Sequence, residues 1–278
     1  VDYTAKQKIA IPFLLNNPLN DIAAEFNLEF DDKINNLDKL MDFIDVYPDT
    51  RMNISFTNGL DKKMAKTLAR YSDNVYIRLQ PSDIIACQVL AEDNIKFFFD
   101  RSVSANTYNS LEDFIALGVT DIYITDDLVY NLKVMRKWAD EHHINLRLIV
   151  NRIPSTALSA GNDYKSPIFR PEDMDILENY FDCFEFAFEE YPDKAQVGIM
   201  YKIWFEDRKW FGELSEINSD IKFYFPNYSV IPFHRDFKMN CTRRCDSRYD
   251  NPCRKCSQLI EIATMLAEKD IIIKEDKN

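Results

Sequence analysis

Short strand-like runs take turns with longer helical runs along this chain, and inside those strands apolar residues alternate with polar ones. Val75, Ile77 and Leu79 alternate with Asn74, Tyr76 and Arg78, and Ile122 and Ile124 with Tyr123, Thr125 and Asp127. Leu146, Leu148 and Val150 alternate with Arg147, Ile149 and Asn151; Phe184, Phe186 and Phe188 alternate with Glu185, Ala187 and Glu189. Successive side chains of a strand point to opposite faces, so one face meets helices and the other something polar. The central strands of an open doubly wound sheet are apolar on both faces, whereas a closed barrel gives the polar face a lumen. Charges buried there must pair, so Arg78, Lys96 or Arg147 are expected against Glu185 or Asp127.

The strand-like runs are Ile9–Leu14, Arg51–Thr57, Asn74–Leu79, Ile95–Asp100, Asp121–Asp127, Asn145–Ile153 and Cys183–Glu189, with a last one in Ile221–Phe225 or Ser229–Phe233. Helical spacing marks Asp31–Val46, Asp61–Tyr71, Pro81–Glu92, Ser110–Leu117, Tyr130–His142, Pro171–Tyr180, Lys194–Glu206 and Ser257–Glu268. Asn58-Gly59 reads as a turn, and Gly118 as the residue that ends a helix. About eight strand–helix units result, the number a closed parallel barrel requires. No Pro-, Gly- or Ser-rich linker divides the chain, so residues 1–278 are expected to form a single α/β (β/α)8 TIM-like barrel domain. Its Cys-rich loop, residues 234–256, precedes the C-terminal helix.

At 278 residues and 46% hydrophobic composition the chain can bury a large core, and only 5 glycines argue against a glycine-looped nucleotide binder. A formal charge of −12 repels polyanions, so extended nucleic-acid contact is disfavoured. No apolar run reaches the roughly 18 residues of a membrane span, and Val1–Lys8 lacks a signal-peptide layout. The expectation is a cytoplasmic protein without a membrane partner, compatible with a protein partner or oligomer.

Barrel active sites lie at the C-terminal ends of the strands. Those ends carry Thr57, Asn58, Arg78, Gln80, Asp100, Arg101, Asp126, Asp127, Asn151, Arg152, Glu189, Glu190, His234 and Arg235. Such a ring suits a small anionic substrate held by arginines, with a carboxylate or His234 moving protons. Asp100, Asp127, Asn151, Arg152 and His234 are the catalytic candidates, and Arg78, Arg170 and Arg235 the substrate-binding ones. Asp and Asn at strand ends also serve as helix caps, which is the plain alternative for any one of them. His142 and His143 complement a helix C-terminus, and Cys87 and Cys183 read as buried thiols.

Cys241, Cys245, Cys253 and Cys256 fall as C-x3-C-x7-C-x2-C in the run CTRRCDSRYDNPCRKC. A Cys-x2-Cys pair converges on one metal without backbone strain, and two thiol pairs in a reducing compartment read as ligands. Zinc and an iron–sulfur cluster both accept four thiolates. Arg243, Arg244, Arg248, Arg254 and Lys255 offset the charge of such a centre. The C-x3-C-x2-C spacing of radical enzymes is absent.

The run PIFRPEDMDILENYFDCFEF, beginning at Pro167, resembles a segment of the collagenase-like U-family peptidases (family thirty-two), with Phe169-Arg170-Pro171-Glu172-Asp173 as its motif-like stretch. The preceding DIYITDDLVYNLKVMRKWADEHHINLRLIVNRIP resembles their strand–helix–strand layout. The resemblance covers the second half of the chain and implies a barrel. Several members bind a [4Fe–4S] cluster through four cysteines and take part in oxygen-independent hydroxylation of RNA bases or quinone precursors. Carried over, it makes Cys241, Cys245, Cys253 and Cys256 the cluster ligands and favours iron–sulfur over zinc. Relatives space their cysteines more widely than this chain does. No nucleophile–base pair supports peptidase chemistry.

Two functions follow as expectations. One is an iron–sulfur or zinc barrel enzyme acting on a small anionic or cofactor-like molecule. The other is a non-catalytic binding or assembly protein with zinc as a structural staple. Trp204, Phe205, Trp210 and Phe211 would form the aromatic surface patch of the second, or more simply a helix packed on the barrel.

Overall fold

The computed structural model describes residues 7–31, 36–57, 59–60, 62–71, 73–83, 86–100, 103–105, 108–124, 132–150, 171, 174–186, 188 and 192–208. These form nine parallel strands: β1 (Gln7–Pro12), β2 (Ala23–Phe30), β3 (Arg51–Phe56), β4 (Val75–Leu79), β5 (Lys96–Phe99), β6 (Ser104–Ala105), β7 (Asp121–Ile124), β8 (Asn145–Ile149) and β9 (Cys183–Glu185). Their order is β5-β4-β3-β2-β1-β9-β8-β7-β6. The two ends of that sheet meet, because the Thr120 N–H donates to the Phe97 carbonyl at 2.9 Å and its hydroxyl donates to the same oxygen at 3.2 Å. The two-residue β6 continues the chain beyond β5 and pairs with β7. Setting β6 aside, eight parallel strands make a nearly closed (β/α)8 barrel.

The helices are α1 (Leu37–Val46), α2 (Lys62–Leu68), α3 (Ala86–Glu92), α4 (Tyr108–Leu117), α5 (Leu132–His142), the single turn α6 (Met174–Leu177) and α7 (Lys194–Tyr201). Four of them follow from local signals. Asn36 caps α1, its Oδ1 accepting the Asp38 N–H at 2.9 Å, and Leu40 and Ile44 one turn apart go into the core. In α5, Leu132, Met135 and Ala139 form the buried stripe. Asp193 and Gln196 cap α7 reciprocally, at 2.8 and 2.9 Å. Gly118 ends α4 with φ +79°, a conformation that costs glycine little, as its spacing predicts.

The outward strand faces and the helices share one large core, including Ile9, Ile11, Phe26, Ile54, Ile77, Phe97, Ile122, Leu146, Leu148 and Phe184. Inside the ring lies a second, small cluster of Phe98, Tyr123 and Ile149 with Tyr76 against it. The strand parity read from the sequence therefore holds for β4, β7, β8 and β9.

One strand was not anticipated. Ala23–Phe30 is β2, linked to β1 by a single 3-10 turn, Pro18–Asp21, and the helix expected from Asp31 begins at Leu37. Glu25, Asn27 and Glu29 are poor strand formers by propensity, and only a lumen that pairs Glu25 makes the segment a good strand. β2 and β9 flank β1, with Ala10 opposite Glu25 and Glu185. The ring is thus filled without a strand from Ile221–Phe225 or Ser229–Phe233, segments that lie outside the described residues. Placing the cysteine loop at the barrel mouth relied on such a last strand and loses that support. Cys183–Glu189 shortens to three residues of strand, and Lys194–Glu206 divides into α7 and a π-helical turn, Lys202–Asp207.

Candidate functional site in the barrel lumen

Polar side chains of alternate strand positions converge inside the ring. Fully buried Arg147 of β8 meets Glu25 of β2 at 2.7 Å and Asp121 of β7 at 3.2 Å through Nη1, and Glu185 of β9 at 3.6 Å through Nη2. Arg51 of β3 pairs with Asp121 at 2.8 Å and lies 3.6 Å from Glu25. Asn53 Nδ2 donates to Glu25 at 2.8 Å and to Asn27 at 3.0 Å. Nearer the C-terminal strand ends, Arg78 of β4 reaches Glu185 at 3.4 Å while its Nε donates to the Ser55 hydroxyl at 3.0 Å. The Tyr123 hydroxyl donates to the other Glu185 oxygen at 2.7 Å.

Strands β4 and β9 stand opposite each other in the ring, and β2–β8 and β3–β7 nearly so. The Arg78–Glu185, Arg147–Glu25 and Arg51–Asp121 pairs therefore tie facing walls together across the lumen. Rings complete the packing: the Arg51 guanidinium lies 3.5 Å from the Tyr76 centroid, and that of Arg147 lies 4.7 Å from Phe98.

The electrostatics follow from burial and partners together. Burial would lower the Arg78 pKa, but the carboxylates of Glu185 and then Asp100 act against it and the pKa is raised, so the guanidinium stays charged. Burial pushes the Tyr123 phenol far up, and the Glu185 carboxylate pushes it further. Tyr123 is thus a fixed hydrogen-bond donor. For Asp121 burial acts upward, yet Arg51 and then Arg147 prevail and hold its carboxyl below the usual range.

A carboxyl depressed in the folded state adds stability above its unfolded pKa of about 4, and the gain is lost as pH falls further through the folded value. The thermal midpoint should fall below pH 4, and Asp121→Asn should show a smaller difference between pH 7 and pH 3. An equal fall in both proteins, followed by circular dichroism, would remove Asp121 as a contributor.

Of the residues singled out in the sequence, the structure brings Arg78 and Asp100 to the same end of the lumen. The Asp100 N–H donates to the Leu79 carbonyl at 2.8 Å, which places it directly beyond β4 and β5, and the residue is buried. Arg78 and Arg147 do pair with Glu185, as expected. Lys96 does not join them; it lies over the Tyr76 ring at 5.1 Å and donates to the Asp73 carbonyl. Thr57 and Gln80 are exposed at strand ends. Asn58, Arg101, Asp126, Asp127, Asn151, Arg152, Arg170, Glu189, Glu190, His234, Arg235 and the four cysteines Cys241, Cys245, Cys253 and Cys256 lie outside the described residues.

Glu25, Arg51, Asn53 and Asp121 were missed as site residues. The signal for two was present, since Arg51 and Asn53 alternate with buried Met52 and Ile54 just as Arg78 does with Ile77 and Leu79. Glu25 was hidden with its strand. Cys87 and Cys183 are buried free thiols whose pKa values burial raises, so neither is an activated nucleophile. His142 ends α5 against Trp138, as a helix-terminal histidine should. Trp204 and Phe205 are buried against Phe186 and contribute no surface patch; Trp210 and Phe211 lie outside the described residues.

Among the described residues no group of three or more His, Cys, Asp or Glu side chains could hold a metal ion, and no helix is long and apolar enough to cross a membrane. In comparisons with known proteins, no family model and no curated protein matches the chain.

Proposed function

We propose that this protein is a barrel enzyme that takes a small anionic molecule at the C-terminal end of its lumen and carries a four-thiolate centre on its cysteine loop. The observation that carries the substrate class is Arg78. Its guanidinium is held charged, is oriented by Ser55, and is the most accessible of the lumen arginines described, with 17% of its side chain exposed. Around it Tyr123 is a fixed donor and Glu185 an acceptor, while Asp100 caps the same end. Asp127 and His234 are the candidates to move protons there, with Asn151 and Arg152 as further candidate residues of the site and Arg170 and Arg235 to add anion contacts.

Cys241, Cys245, Cys253 and Cys256 suit a tetrahedral zinc or a [4Fe–4S] cluster by donor type and spacing. The five nearby basic residues suit a centre with net negative charge, and the U-family resemblance favours the cluster. When bound, a cluster supplies one-electron chemistry, whereas zinc supplies Lewis acidity or a structural clamp. In this reading the barrel residues bind and orient the anion and keep Arg78 charged.

The test is metal and acid-labile sulfide analysis with a visible spectrum on protein purified without oxygen. The expected result is iron with sulfide and brown absorbance, lost in Cys253→Ser. Stoichiometric zinc in colourless protein would replace the redox reading with the structural staple. Protein with neither metal would end the assignment of the cysteine loop.

A further inference from the structure

The outer wall over β1 and β2 is built differently from the rest of the barrel. Every other connection between consecutive strands of the ring carries an α-helix, whereas residues 13–22, described throughout, hold only the 3-10 turn Pro18–Asp21. Phe13 takes the place of a helix there. Its ring meets Phe26 of β2 at 5.3 Å, and Phe43 and Tyr47 of α1 at 4.6 and 5.7 Å. One ring is narrower than a helix, which is about 10 Å across, and apolar surface remains on both sides of it. Leu15 is 73% exposed and Val46 is 68% exposed. Val46 follows Phe43 at i+3, so it lies on the flank of α1 that faces Phe13. Single apolar side chains scattered on a surface are ordinary, but two that bank a wall without a helix mark a shallow apolar groove.

We propose that this groove is the docking site of the chain's own C-terminal segment, residues 257–268, packed as a helix over β1 and β2. The segment has the pattern for it: Leu259, Ile262, Ala263 and Leu266 make one apolar stripe at helical spacing, with Glu261, Thr264 and Glu268 off it. It also has the length, since such a helix measures about 18 Å against about 20 Å for β1. The chain leaves its last described turn, Lys202–Asp207, on the adjoining wall, where Phe205 meets Phe184 of β9 beside β1. Residues 257–268 are thus tethered next to the groove, and a tether gives an effective concentration of about a millimolar or more. A second copy has no such advantage, and a formal charge of −12 on each chain opposes its approach. Cys256 directly precedes Ser257, so the docked segment ties the end of the cysteine loop to the barrel whether or not that loop holds a metal.

The experiment places a photo-crosslinker in the full chain, as Leu15→p-benzoylphenylalanine and separately Val46→p-benzoylphenylalanine, and maps the linked peptides by mass spectrometry. Both should link within one chain to the peptide holding residues 257–268, and Val134→p-benzoylphenylalanine, exposed on α5, should not. Links between two chains would give the groove to a second copy and overturn the proposal. Links to other peptides, or none, would overturn it as well. Hydrogen exchange gives a second reading: Leu266→Asp should speed exchange of the β1 and β2 amides about tenfold relative to β4, and Glu261→Ala should not. Unchanged exchange in a folded Leu266→Asp would overturn the docking, and the crosslinks decide the matter if that variant does not fold. Neither variant touches the four cysteines, so metal content reports on the thiolate centre separately.

Discussion

Replacing Arg147 by methionine is expected to destabilise the protein by about 3–5 kcal/mol, the usual cost of removing one partner from a buried ion network. Among the described residues Arg147 alone touches Glu25, Asp121 and Glu185, which reach it from three different strands. Methionine keeps much of the length and apolar stem but removes their shared guanidinium, with Arg51 and Arg78 as the other cations they meet among the described residues. Two costs add: desolvated negative charges lose their counter-ion, and opposite walls of the barrel lose a tie. The seam between β5 and β7 is joined by a backbone hydrogen bond from Thr120 to Phe97, and the ion pairs across the lumen add to that closure. Urea unfolding followed by circular dichroism should show a lower midpoint with an unchanged slope. Adding Glu25→Gln to the methionine variant should recover part of the loss, because one of the stranded carboxylates is gone. A loss below about 1 kcal/mol would show that water or rearrangement already satisfies the lumen.

Trp204→Ala is the second large effect, also about 3–5 kcal/mol, the range for emptying a large aromatic from a core. Trp204 is fully buried in the π-helical turn after α7 and packs edge-on against Phe186 at 6.1 Å, just beyond β9. Phe205 beside it stacks on Tyr201 and meets Phe184, so this turn plugs the outer wall where β9 joins β1. The indole N–H, however, has no hydrogen-bond partner. Trp204→Phe should therefore cost much less than alanine, since it loses some packing but also removes an unpartnered buried donor. Thermal unfolding of both variants gives the comparison. Equal losses would mean that shape alone holds the site.

The lumen could be read in part because strand parity is a local property. Tyr76, Arg78, Tyr123, Arg147, Ile149 and Glu185 all occupy the positions between buried apolar residues, and each points inward. Parity gives direction without height or partner. Lys96 has the same parity as Phe98, yet it lies at the first position of β5 and turns to Tyr76 and the Asp73 carbonyl. The expected partners of Arg147 included Glu185, whereas its shortest contact is to Glu25, 122 residues away in sequence.

What the sequence by itself determined was the alternation of strands and helices, the inward set on four strands, the cap of α4 at Gly118 and the four-cysteine spacing. Each of these follows from a period, a φ preference or a ligand spacing that acts over a few residues. Only the tertiary structure decided that Ala23–Phe30 is a strand, that β9 adjoins β1, and that Arg147 joins carboxylates from β2, β7 and β9. A segment rich in Glu and Asn becomes a strand only when neighbours on both edges take its backbone bonds and a buried guanidinium takes its charge. That compensation comes from residues far away in the chain, and no local pattern records it.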